Sequence, residues 1–194
     1  IVNAEIAAAD GALQGFFITG YTFNLTSIAD DLGIPHSIVL GAFMPGAVLG
    51  VFVSAGVGWL IDWTRMKYSV FIFCIGLIMV PAGLLVAPGK HAIVVLILGL
   101  GIAGGSFAPI MGTVWARFFW RRELGAISGF NMSTIVIASA FGPTLFSLSF
   151  DYLGGYRPAI FFGLLCAVAL MVSGWFAENP QRALQKEERE NGRT

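Results

Sequence analysis

The sequence predicts an all-α membrane protein with six transmembrane helices, arranged as two inverted three-helix repeats. Three observations carry that prediction. First, 57% of the 194 residues are hydrophobic and only 11% are charged, with a mean hydropathy of +0.81; a soluble domain carries about 25% charged residues. Second, the apolar residues fall into six runs, each long enough to cross a bilayer as a helix of about 20 residues. Third, the charged connections between runs recur at a fixed offset along the chain.

The windows lie at 7–28, 38–61, 68–88, 92–116, 125–149 and 157–177. Together they make residues 1–177 a transmembrane bundle, and the mixed Arg, Lys and Glu of 178–194 a charged, solvated tail. Residues 38–61 and 68–89 carry no charge, so the short knot Asp62-Trp-Thr-Arg65-Met-Lys67 between them reads as a tight turn at a membrane surface. Of the 11 Lys and Arg residues, Arg65, Lys67, Arg117, Arg121, Arg122, Arg182, Lys186, Arg189 and Arg193 share one side if the six helices alternate; Lys90 and Arg157 take the other. The positive-inside rule then places both termini in the cytoplasm and the loop holding Asp30 and Asp31 outside, with the plasma (inner) membrane as the expected location. The chain starts at Ile1 with no basic region ahead of the first span, as expected of a piece of a longer protein.

Polarity differs among the windows. Window one carries Asp10, Gln14, Thr19, Tyr21, Thr22, Asn24 and Thr26, and window five carries Ser128, Asn131, Ser133, Thr134, Ser139, Thr144 and Ser147. Polar groups are costly toward lipid, so these two windows are expected to face protein or water, and the almost purely apolar windows three and six can face lipid. Asp62 and Asp151 end windows two and five, and Tyr68 and Arg157 begin windows three and six. Both pairs stand 89 residues apart, and at that offset window one falls on window four. An odd number of helices reverses the direction of entry, so the triplets would be inverted repeats.

Several residues are candidates for function. Tyr21, Thr22, Asn24, Ser106, Thr113, Asn131 and Thr134 are intramembrane polar groups that could line a solute pathway, although a hydroxyl in a helix can also bond the carbonyl one turn back. Asp10 is the acid placed inside a span, a candidate proton site, or close enough to the cytoplasmic end to reach water. Asp62 stands at the negative end of a helix dipole, where a carboxylate needs a partner; with Gly58, Arg65 and Lys67 it could latch two helix bundles, or the loop could be purely topogenic. Gly46 and Gly50, Gly101 and Gly105, and Gly125 and Gly129 are three small-residue pairs spaced for close helix crossings. Gly104 and Gly105 with Pro109 mark the expected place for a broken or bent helix. Cys74 and Cys166 read as inert thiols in apolar runs. His36 and His91 stand alone, and no phosphate loop, nucleophile elbow or dinucleotide fingerprint occurs. The expectation is therefore no enzyme, no metal, no cofactor and no nucleic-acid partner.

The stretch Gly58-x-Leu60-Ile61-Asp62-x-x-Arg65-x-Lys67 resembles the signature loop of the major facilitator superfamily, with Trp63, Arg65 and Met66 where that pattern has a basic residue, a glycine and a second basic residue. Arg117-Phe-Phe-Trp-Arg121-Arg122-Glu-Leu-Gly125-Ala-Ile-Ser-Gly129, then Ala140-Phe-Gly142-Pro143 and Phe150-Asp151, is similar to the tenth-to-eleventh helix region of monocarboxylate-porter-like and organic-anion members, and Thr19-Gly20-Tyr21-Thr22-Phe23-Asn24 to their seventh helix. The resemblance implies the C-terminal six-helix half of a secondary transporter that moves a small solute, by symport for example, through alternating access. It implies as partners the lipid bilayer, the solute, and a missing N-terminal half or a second copy. Windows two and five hold no Lys or Arg. A carboxylate-binding cation would therefore come from the absent half, or the solute is not a simple carboxylate. A six-helix membrane scaffold that does not transport is the alternative.

Overall fold

Inside a bilayer the backbone must satisfy its own hydrogen bonds, and long apolar runs therefore become helices. The computed structural model describes residues 2–64, 66–86, 90–118 and 124–176. Arg65, Arg121, Arg122 and the tail 178–194 lie outside them. The described helices are α1 (Val2–Phe23), α2 (Leu25–Asp31), α3 (His36–Gly41), α4 (Phe43–Trp63), α5 (Met66–Leu85), α6 (Lys90–Phe118), α7 (Leu124–Leu153) and α8 (Arg157–Phe176). No strand occurs among the described residues. Among the described residues, five helical stretches are long and apolar enough to cross a membrane: His36–Trp63, Met66–Leu85, His91–Val114, Gly125–Leu153 and Arg157–Gly174. This is the architecture of a helical integral membrane protein. α1 is not among the five, because its polar residues lower its hydropathy.

The helix breaks fall elsewhere than the sequence predicts. α6 runs unbroken through Gly104, Gly105 and Pro109, and Thr113 Oγ1 donates to the Pro109 carbonyl at 2.7 Å. The breaks come at Asn24 and Ala42. Asn24 leaves ideal helical geometry (φ −100°, ψ 14°), and its side-chain amide donates to Gly20 O at 3.0 Å, sharing that carbonyl with its own backbone N–H. At Ala42 the cause is Pro45, which has no N–H to offer the Gly41 carbonyl.

Glycines set how the rods pack. A Cβ on Gly105 would overlap the Gly50 carbonyl oxygen, and Gly46 faces Leu100, so α4 and α6 run side by side in the same direction. The two small-residue pairs predicted on separate helices thus meet each other. α1 and α7 cross as closely: a Cβ on Gly142 would overlap the Phe16 carbonyl oxygen, and one on Gly20 would stand 2.7 Å from the Phe146 ring. Gly76 opposite Ala103 and Gly83 opposite Leu96 bring α5 against α6 in antiparallel register. The third predicted pair, Gly125 and Gly129, meets nothing within 4 Å.

Two apolar clusters fill the bundle. One joins Ile28, Leu32, Val39, Leu84, Leu96 and Tyr156 near the α2–α3, α5–α6 and α7–α8 turns. The other joins Val57, Ile61, Phe73, Leu77, Ile110 and Val114 toward the α4–α5 turn. The outer surface is also apolar, with Met44, Phe52, Phe130, Phe141 and Phe161 exposed, as a lipid-facing surface requires. Trp59, Trp63 and Tyr68 are exposed around the α4–α5 turn, where a membrane interface attracts amphipathic rings.

One expectation is corrected. α5, apolar enough to face lipid, is the most enclosed of the five spans, half buried, against 22% for α8. Hydropathy cannot tell an apolar protein neighbour from a lipid chain, and Gly76 and Gly83 let α6 close over one side.

Gly105→Ala should lower the thermal stability of the detergent-solubilised protein by about 1–3 kcal/mol, because the methyl collides with backbone rather than with a side chain that can swing away. Gly129→Ala, in open space, should leave it unchanged or slightly raised. Equal effects at the two positions would rule out the α4–α6 crossing.

Candidate functional site

Residues 10, 14, 17 and 21 recur at spacings of four, three and four, so they share one face of α1. That face is sealed. Asp10 and Tyr21 are 0% exposed, Phe17 3% and Gln14 9%. A helix with a carboxyl, an amide and a phenol on its inner stripe needs no lipid-compatible surface there. α1 is accordingly wrapped by α5, α6, α7 and α8.

Each neighbour meets a different residue. α5 meets Asp10: the Cys74 thiol lies 3.6 and 3.7 Å from the two carboxylate oxygens and donates to them. α6 meets Gln14, whose Nε2 donates to the Ala103 carbonyl at 3.3 Å. α7 meets Gly11 and Gly15 through the Ile135 side chain, close enough that a Cβ on Gly15 would lie 2.9 Å from it. α8 meets Phe17 at Gly163, where a side chain would overlap the Phe17 ring. Toward the α2–α3 end, Tyr21 stacks on Phe43 of α4 with ring centroids 6.1 Å apart.

Several buried polar atoms on these helices have no hydrogen-bond partner among the described residues: Gln14 Oε1, Tyr21 Oη, Ser69 Oγ, Ser106 Oγ and Asn131 Oδ1. A buried unsatisfied group costs about 1–3 kcal/mol, so native structures hold few. They do not form one group: Tyr21 lies toward the α2–α3 end and Ser69 near the start of α5.

The seven predicted pathway residues do not form one lining. Tyr21, Ser106 and Asn131 are buried inside the bundle. Thr22 is exposed. Thr113 and Thr134 are half-buried and donate to the carbonyls of Pro109 and Phe130 one turn back, at 2.7 and 3.0 Å. Asn24 ties three elements together. Its amide donates to Gly20 O and, at 3.4 Å, to Pro143 O of α7; its Oδ1 accepts from Ser147 Oγ at 3.4 Å and from the Tyr156 hydroxyl at 3.5 Å. Beside it the Tyr156 N–H donates to Asp31 Oδ2 at 2.9 Å, clasping the end of α2 to the α7–α8 turn. His36 is not alone: its Nε2 lies 2.8 Å from Asp30 Oδ1.

Asp10 does not reach water; it is fully buried against α5. Cys74, read as inert, is its hydrogen-bond partner. Gln14 belongs to the site with it, and the spacing of Asp10, Gln14 and Tyr21 on one helical face was the signal for that. No sequence signal marks Cys74. In the predicted latch, Gly58 meets nothing within 4 Å, Asp62 is exposed at the end of α4, and Lys67 Nζ lies 5.7 Å from the Phe71 ring centroid. Arg65 is outside the described residues.

Asn24→Ala should cost about 1–2 kcal/mol in thermal unfolding, since it leaves partners on three elements without their bonds. An unmoved unfolding midpoint, with altered solute handling, would return Asn24 to a lining role. No family model, curated protein or solved structure matches this chain.

Proposed function

We propose that this chain is the C-terminal half of a secondary transporter of major facilitator architecture. It moves a small solute across the membrane by alternating access, and an organic anion is the first solute class to test. One offset, met in sequence and again in space, carries the proposal. Asp62 and Asp151 are 89 residues apart at matching helix ends. The hydrogen bond from Gln14 to Ala103 also joins residues 89 apart. In a pair of inverted repeats, residues one repeat apart touch only near the pseudo-two-fold axis between the repeats. That Gln14 and Ala103 touch at this separation supports the reading.

The packing agrees with that symmetry. α1 lies along α7 as α6 lies along α4. The tight crossing of Phe16 and Gly142 has an approximate counterpart in Gly105 and Gly50: Phe16 and Gly105 are 89 apart, and Gly142 and Gly50 are 92 apart. Under this arrangement α1 is the sixth span. Its 22 residues reach about 33 Å at 1.5 Å each, enough for a hydrocarbon core of about 30 Å, and its polar stripe is tolerated because it faces protein.

The exposed face of α7 supports a partner across it. Gly129, Ser133, Val136, Ala140, Thr144 and Ser147 form one stripe, all exposed and mostly small or hydroxylic. Lipid does not select such a stripe; a second helical half, or the aqueous path between halves, does. Asp62 and Lys67, at the α4–α5 turn, would latch the halves in one of the two access states. Asp10, sealed within the half, is where coupling to an ion gradient acts.

Uptake of a panel of small solutes into vesicles, with the complete gene and with or without a proton gradient, tests the proposal. Asp62→Asn should lower the initial uptake rate about tenfold while membrane insertion is retained; unchanged kinetics would remove the latch. No uptake of any solute, with a folded six-span half, would favour the scaffold. Lys90→Cys should be labelled by a membrane-impermeant thiol reagent from outside intact cells, and labelling only after permeabilisation would reverse the orientation.

A further inference from the structure

Asp10 brings a negative charge into a bundle in which no counter-charge lies against it among the described residues. Every helix packed on α1 is bare of charge alongside it. α5 has none beyond Lys67, α6 none between His91 and Arg117, α7 none between Glu123 and Asp151, and α8 none past Arg157 at its start. The thiol of Cys74 is a weak donor for such a group.

Three of the five unsatisfied groups, on Gln14, Ser106 and Asn131, lie at about the same depth. α6 begins at the end where α2 finishes, since Ala92 and Leu96 share a cluster with Ile28 and Leu32, so α6 runs antiparallel to α1. Gln14 is opposite Ala103. Ser106 is then displaced by about 4.5 Å along α6, to the level of Gly11, between Asp10 and Gln14. Asn131 joins the same layer from α7. Its Nδ2 lies 3.8 Å from Met111 Sδ, and the Met111 methyl would lie 3.1 Å from a Cβ on Gly11. Gln14 Oε1, Ser106 Oγ and Asn131 Oδ1, all on residues at least nine-tenths buried, have no partner.

A proton and a metal cation answer this layer differently. A proton placed on Asp10 neutralises the carboxyl and supplies a single O–H donor, which can serve one of the amide oxygens of Gln14 and Asn131 but not both. A small monovalent cation supplies the counter-charge and serves as the partner of several oxygens at once. The donor set is all oxygen, which suits a hard ion and not a soft one. We propose that Asp10, Gln14 and Ser106, with Asn131 at the edge, form a buried site for a monovalent alkali cation of sodium size. It rests on the transporter proposed above, as the seat of its coupling ion.

The test is binding to the purified full-length protein with no solute present. Sodium chloride, against choline chloride at equal ionic strength, should raise the unfolding midpoint by about 2–4 °C and saturate with concentration. Radioactive sodium should bind with matching dependence. Asp10→Asn should abolish both effects. Ser106→Ala, which removes one oxygen and no charge, should weaken sodium binding about tenfold, and it serves as the test if the Asp10 variant does not fold. Equal stabilisation by sodium and choline, a response to pH alone, or sodium binding retained in Asp10→Asn would each overturn the site. Solute uptake that persists without sodium would overturn it while leaving the transporter intact. Sodium binding without uptake of any solute would uphold the site and count against the transporter.

Discussion

The structure depends on how closely helix backbones approach where glycine replaces a side chain. At the Gly50–Gly105 and Phe16–Gly142 crossings the space a methyl group would take is filled by a carbonyl of the facing helix. Without water between helices, association rests on packing and interhelical hydrogen bonds, and both grow as the backbones draw together. These contacts fix α4 on α6 and α1 on α7. Once they are fixed, the inner stripe of α1 has nowhere to turn but the interior.

That enclosure gives the polar residues of α1 their meaning. On an isolated helix Asp10 and Gln14 would seek water or the lipid headgroups. Inside the bundle they meet a thiol and a backbone carbonyl and leave oxygen atoms over. Low dielectric makes each remaining imbalance expensive. The same physics separates the predicted hydroxyls into two kinds. Thr113 and Thr134 bond back to their own helices and are at rest; Ser106 and Asn131 keep unsatisfied oxygens.

The two ends of the bundle are built differently. At the α7–α8 turn, Asp31, Asn24 and Tyr156 form a network around an aromatic group, with Phe150 and Tyr156 stacked at 5.0 Å between centroids. Gly154 turns the chain there with φ +73°, a backbone geometry that suits glycine. At the α4–α5 turn the aromatic rings point outward and Asp62 is exposed. One end is cross-linked by hydrogen bonds, while the other presents charge and aromatic surface outward.

Much of this was legible in the residues. Uncharged runs as long and unbroken as 38–61 and 68–89 match a spanning helix and not the short alternating strands of a barrel, so the helical class and the main spans followed from composition and length. The spacing of Gly46 with Gly50 and of Gly101 with Gly105 announced close crossings, because only small residues allow them. Periodicity on one helix does not name its neighbour, however. That α4 and α6 use these glycines on each other while Gly125 and Gly129 meet nothing, and that α5 is enclosed rather than lipid-facing, were decided by the tertiary fold. The same holds for Asp10: its chemistry is written in the sequence, but its isolation from water and its contact with Cys74, 64 residues away, exist only once five helices pack together.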